Sequence, residues 1–178
     1  MEYHESKKMG DVGENEILKR VIKQYSLSYI DNIGKANSDW DIRVPEKDIL
    51  NTPYGIEVKM EYESKNTGNV VIEVMFDDRL SALSKTKASF WVFITGYQYI
   101  WIKPIEIYRF LEQHPEYQRA RFMASGDTKF KIAYLPRLFR LLEYVRGLDK
   151  ENGWVEEILK TDILYYDNHI EYLKKLKL

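Results

Sequence analysis

Apolar positions along the chain repeat with two different periods, and the changes from one period to the other divide it into elements. Ile17, Leu18, Val21, Ile22 and Tyr25 recur at the three and four spacing of one helical face, which predicts a helix opening at Gly13-Glu14 and ending about Gln24. Residues 1–12 ahead of it are polar with little periodicity and read as a mobile arm. Residues 27–33 fit a first edge strand and 34–38 a loop. Two strands, 41–44 and 55–60, follow across a polar turn region with Pro45 and Pro53. A charged stretch ends in the turn signal Thr67-Gly68-Asn69, and 70–76 reads as a further strand with Glu73 inside it. Leu80 and Leu83 at helical spacing predict a short helix within 77–87. The run 90–95 is a strongly β-prone buried strand, with 99–102 as its hairpin partner across Gly96.

Pro104 suits the first turn of a helix to about Gln113, with Ile107, Phe110 and Leu111 inward. A loop with Arg and Gly follows Pro115, then a short strand over 129–134. Pro136 opens a helix carrying Leu138, Leu141, Leu142 and Val145 that stops at Gly147. Gly153 separates it from a last helix over 154–178, whose stripe is Ile158, Leu159, Ile163, Tyr166, Ile170 and Leu173. The expected fold is α/β, a mixed central sheet of about five strands flanked by helices. Within a single domain over 1–178, residues 13–103 form the core and 104–178 a mostly helical C-terminal extension.

One strand stands out within this order. In 55–60, Ile56, Val58 and Met60 point to one side while Glu57 and Lys59 point to the other, so a core would take one face and leave the other for chemistry. The chain holds four acidic-x-Lys triplets, and only Glu57/Lys59 lies in an alternating apolar run. An antiparallel pairing of 41–44 with this strand would bring Asp41 beside Glu57. Convergent carboxylates are costly unless compensated, and the usual compensation is a hard divalent cation held through oxygen, which points to Mg²⁺, with Mn²⁺ as a substitute. Asp39 competes with Asp41 for the role, and Glu16 with Glu14, which also suits the dipole of its helix.

Composition narrows the classes that remain. A hydrophobic content of 44% over 178 residues suffices for one core. No run of eighteen apolar residues and no signal-peptide pattern is present, so no membrane partner and a cytoplasmic location are expected, the host cytosol if the chain is phage-encoded. The absence of cysteine removes thiolate metal sites, disulfides and Cys nucleophiles, and the spacing of His4, His114 and His169 argues against histidine-based sites. No Gly-rich loop ends in Gly-Lys-Ser/Thr, which argues against a nucleotide cofactor. A net charge of −1 means that any DNA contact is local. Basic clusters are available at Lys7/Lys8, Lys85/Lys87, Arg119/Arg121, Lys129/Lys131 and Arg137/Arg140. If Glu14, Asp41, Glu57 and Lys59 converge, they supply what phosphodiester hydrolysis needs: carboxylates for metal ions, and a lysine to orient water or offset developing charge.

The order Glu14, Asp41, Glu57-Val58-Lys59 resembles the PD-(D/E)XK nuclease superfamily, which includes restriction endonucleases and archaeal-type Holliday-junction resolvases. Residues 67–73 and Lys85-Thr86-Lys87-Ala88 resemble the strand and Thr-Lys-Ala helix end downstream of the motif in phage-type members. The similarity covers roughly residues 10–95. It implies a restriction-endonuclease-like core, Glu14, Asp41 and Glu57 as metal ligands, and Lys59 as catalytic lysine. Glu73 and Lys87 rank second, together with Asp39. The sequence departs from the family pattern in having Trp40, not Pro, before Asp41. The expected activity is Mg²⁺-dependent DNA cleavage, with a junction resolvase as alternative and an inactive nucleic-acid-binding or assembly protein as the alternative of another class. Lys85, Lys87, Arg119, Arg121, Lys129 and Lys131 are the candidates for holding DNA. Cutting two strands with one site per chain predicts a homodimer, with the last helix as candidate surface.

Overall fold

A computed structural model describes residues 3–25, 41–44, 54–123 and 129–175. The elements are α1 (Tyr3–Tyr25), β1 (Ile42–Val44), β2 (Tyr54–Met60), α2 (Ser64–Thr67), β3 (Ile72–Phe76), β4 (Arg79–Leu80), a 3₁₀ turn (Ala82–Ser84), β5 (Phe90–Ile94), β6 (Gln98–Ile102), α3 (Pro104–Gln113), β7 (Ala120–Met123), β8 (Phe130–Tyr134), α4 (Leu138–Arg146), β9 (Gly153–Glu157) and α5 (Lys160–Lys175). The chain is α/β as expected. A mixed sheet runs in the order β1-β2-β5-β6-β9, with only β2 and β5 parallel. Beside it lies a second, antiparallel sheet in the order β4-β3-β8-β7.

The central sheet is covered on both faces. Alternation sends Phe90, Val92 and Ile94 of β5 and Tyr99 and Trp101 of β6 to one side, where Ile56 and Val58 join them beneath Met9, Ile17 and Leu18 of α1 and Tyr166 of α5. It sends Trp91, Phe93, Ile100 and Ile102 to the other, against Ile72 and Val74 of β3, Ile107 and Phe110 of α3, and Leu141, Leu142 and Val145 of α4. Strands buried on two faces read as unbroken apolar runs, which is why β5 and β6 were conspicuous in the sequence. Among the described residues the buried Trp101 indole N–H lacks a hydrogen-bond partner, but other polar groups inside are paired: Glu106 of α3 accepts from Arg109 and, at 2.7 Å, from the Tyr144 hydroxyl of α4. The hydroxyls of Tyr99 and Tyr166 meet at 3.1 Å and tie α5 to the sheet.

Several expectations need correction. Residues 3–12, expected as an arm, are the first part of α1, and Met9 is buried at 4% exposure because the helix continues over the sheet. Residues 77–87 form no α-helix but the two-residue β4 and a 3₁₀ turn, since Asp77 and Asp78 reverse the chain with φ of 47° and 62°. The region 104–178 holds the helices α3, α4 and α5, but also the strands β7, β8 and β9, and β9 is the edge of the central sheet. Trp154 therefore begins no helix. It belongs to β9, and α5 starts only at Lys160. The strand expected at 27–33 lies outside the described residues.

Candidate functional site

The site is assembled where β1 begins beside β2. Ile42 pairs antiparallel with Ile56, so Asp41 falls opposite Glu57. The Asp41 N–H donates to the Ile56 carbonyl at 3.0 Å, and its Oδ2 accepts the Val58 N–H at 2.7 Å. Asp41 is thus held by main chain and side chain together. Its rival Asp39 lies outside the described residues.

Glu57 and Lys59 share a face of β2, as the alternation predicts, and Lys59 Nζ donates to Glu57 Oε1 at 2.6 Å. That face is not free of a core, however. The parallel register sets Glu57 beside Trp91 and Lys59 beside Phe93, so both stand at the rim of the second hydrophobic cluster, with side chains 15% and 27% exposed. The Lys59 ammonium lies 4.9 Å from the centroid of the Trp91 ring. The Trp91 indole N–H in turn donates to Thr86 Oγ1 at 3.1 Å.

Glu14 arrives from α1. A Cβ at Gly13 would come within 3.0 Å of Ile94 Cδ1 and 3.4 Å of Met60 Sδ, so the bare glycine lets the helix lie close on the sheet and brings its neighbour Glu14 to the patch. Glu16 turns elsewhere, pairing with Lys19 at 3.0 Å.

The charges feel one another. Burial, reinforced by the charges of Asp41, Asp11 and Glu57, pushes the Glu14 carboxyl up to about 7. Burial and the Glu57 charge push Asp41 up to about 6, against the Val58 N–H and Lys59. Burial works against the Lys59 ammonium, but Glu57, Asp41 and Glu73 outweigh it and the net shift is upward. Lys59 is therefore a cation at neutral pH. Three carboxylates face one lysine, and that lysine is paired with Glu57.

Glu73 is near enough for Lys59 to feel its charge, but it is engaged by Lys131 at 3.2 Å and by the Ser81 hydroxyl at 2.5 Å. Lys85 and Lys87 are exposed in the irregular segment after the 3₁₀ turn, so the helix end expected at Lys85-Thr86-Lys87-Ala88 is absent. Arg119 leads into β7 and Arg121 lies on it, with its guanidinium 3.8 Å from the Phe130 ring centroid, and Lys129 leads into β8. Arg137 bonds Asn69, and Arg140 pairs with Glu143.

Glu61, Trp91 and Thr86, which sequence reasoning passed over, belong to the patch or support it, and so does Lys131, which was expected to hold DNA instead. Glu61 continues the alternation of Glu57 and Lys59, which was a usable signal. Burial pushes its carboxyl up to about 7, although it accepts the Val71 N–H at 3.3 Å and has Lys59 and Lys131 nearby. The other three depend on pairings between distant segments.

As a metal site, Glu14, Asp41 and Glu57 fit in donor type: all are hard oxygen donors, and Glu14 and Asp41 are shifted upward by burial first and by neighbouring carboxylate charge second. Among the described residues, no three acidic or histidine side chains are gathered as a ready-made metal cluster. No helix among them is long and apolar enough to cross a membrane. No family model, curated protein or solved structure matches the chain.

Proposed function

We propose that this chain is a Mg²⁺-dependent DNA endonuclease of the PD-(D/E)XK kind. The observation that carries the reading is the clamp of Asp41 onto β2 opposite Glu57 and Lys59, with Glu14 inside the same field. Glu14, Asp41 and Glu57 would hold the metal. When bound, Mg²⁺ supplies stabilisation of phosphate charge and an attacking water of lowered pKa. Asp41 contributes a carboxylate whose direction is fixed before any ligand arrives. Lys59, held beside Glu57 as a cation, would offset negative charge developing on the scissile phosphate. Trp91, held by Thr86, supports that ammonium from below.

A second reading, a nucleic-acid-binding protein without catalysis, is favoured by one observation: Glu57 is already satisfied by Lys59, and no gathered metal cluster is present among the described residues. Incubation with plasmid, linear, branched and single-stranded DNA in Mg²⁺, Mn²⁺ or EDTA separates the two. Cleavage in metal that stops in EDTA is expected, and a preference for branched DNA would make the protein a junction resolvase. Binding with no cleavage of any substrate in either metal would establish the inactive reading.

The nuclease reading includes a homodimer, because a duplex cut in both strands needs two such sites. On α5, Tyr166 is fully buried and Ile163 packs on the core, whereas Leu164 on α5 and Leu159 just ahead of it are 60% and 65% exposed, so these two remain for a partner copy. The side chains of Ile170 and Leu173 lie outside the description. Light scattering is expected to give twice the chain mass. Leu159→Glu with Leu164→Glu should give a folded monomer that only nicks, and a parental monomer that makes double-strand breaks would remove the dimer.

A further inference from the structure

A cleft of about 660 Å³ opens between the C-terminal half of α3 and the four-stranded sheet, and it shares no lining residue with the carboxylate patch. That volume lies in the range of small-ligand sites, about 300–1,000 Å³. Tyr108, Tyr117 and Tyr134 line it together with Arg119, Glu112 and Gln118. The rings are fixed before any ligand arrives. Tyr108 donates to the Leu83 carbonyl at 2.9 Å, and Tyr117 stacks on Phe110 at 6.1 Å and on His114 at 6.0 Å. The Tyr134 hydroxyl accepts from Arg119 Nε at 3.1 Å.

Flat, positioned aromatic faces beside a guanidinium match a ligand that is planar at one end and anionic at the other. The surroundings indicate which such ligand. From Arg119 the positive charge continues to Arg121 on the same face of the sheet, since Arg121 pairs with Ile132 and Arg119 reaches Tyr134, and β7 contains no acid, whereas Lys131 faces the other way and pairs with Glu73. A short proline-rich peptide also suits tyrosine-lined grooves, but it has no use for a second cation leading away from the groove. A polyanion with exposed planar groups uses both.

We propose that this cleft takes an unpaired nucleotide, its base against the tyrosine rings and its phosphate on Arg119, with the next phosphate of the strand on Arg121. The inference rests on the nuclease reading for the strand's role as substrate, whereas binding is measured without cleavage. Val74 lines the cleft, and its chain neighbour Glu73 is a charge felt by Lys59, so β3 links the two sites.

The test is fluorescence anisotropy in EDTA with a labelled oligothymidylate and a duplex of equal length. Tyr108 is 46% exposed and Arg119 is exposed, so Tyr108→Ala and Arg119→Ala should fold, which thermal melting checks. The single strand should bind more tightly than the duplex, and each variant should weaken it on the order of tenfold. Thymidine monophosphate distinguishes a free nucleotide from one in a strand: competition at the oligonucleotide's own concentration assigns the cleft to the free form. Equal affinity for duplex, unchanged affinity in both variants, or displacement by a proline-rich peptide would overturn the proposal. Binding as expected with no DNA cut in metal would fail the nuclease reading and leave the cleft standing. Metal-dependent cleavage with binding unchanged in both variants would do the reverse.

Discussion

At the scale of single residues, the patch combines groups whose roles separate by charge state. Asp41→Asn keeps the shape and the oxygen that accepts the Val58 N–H but removes the negative charge, so activity should fall by about 10²–10³ with the melting temperature retained. Lys59→Met should do the same by removing the cation over Trp91. Parental cleavage rates in either variant would dismiss the assignment. Glu61 gives a cleaner test on stability. Its carboxyl is raised from 4.5 to about 7, so its favourable contribution is complete below pH 4.5 and is lost as pH rises through about 7. Glu61→Gln keeps an acceptor for the Val71 N–H without the buried charge. It should gain at least about 1 kcal/mol on the parent between pH 5 and pH 8, or about 2–4 °C in melting temperature. A pH-independent difference would mean that Glu61 is ionised throughout. Asp41 opposite Glu57 was legible because two alternating strands and a turn determine it. Trp91 under Lys59 was not, because it follows from a parallel register between segments more than thirty residues apart.

At the scale of elements, legibility followed the strength of the local period. The strands β2, β5 and β6 and the helices α3 and α4 were read within a residue or two because their apolar positions repeat cleanly. The missed strands each lack that signal. β4 follows a tight turn whose two central residues have positive φ without glycine, against the usual Asn-Gly signature. β7 is a short edge strand with charge, and β9 sends Trp154 to one cluster and Val155 to the other, so period two does not show in its apolar residues. The register of α1 on the sheet depends on Gly13. Gly13→Val would press methyl groups on Ile94 and Met60, costing about 1–3 kcal/mol and lifting Glu14 from the patch. Thermal melting and cleavage rate should fall together. A stable variant with parental activity would show that α1 does not set the position of Glu14.

At the scale of the whole molecule, two clusters flank one sheet, and residues from both ends of the chain build them. The division at residue 103 into a core and an appended extension was not a physical one, because β9, α4 and α5 complete the layers that β2 and β5 begin. Charge, in contrast, is segregated. The chain carries a net −1, yet Arg119 and Arg121 lie at β7, which contains no acid, with Lys129 and Lys131 at β8, while Asp41 and Glu57 lie opposite each other on β1 and β2. A polyanion is therefore expected to meet the protein through the four-stranded sheet and to be kept from the carboxylate patch until divalent cations offset it. With four cations at most, one of them paired to Glu73, the logarithm of single-strand affinity should fall against the logarithm of salt concentration with a slope between about −2 and −3. Arg119→Glu with Arg121→Glu should flatten that slope by more than about one and weaken binding alike for all sequences. Titrations at several salt concentrations measure both. A slope unchanged in the double variant would place the contact on another face, and an affinity independent of salt would point to a partner other than nucleic acid.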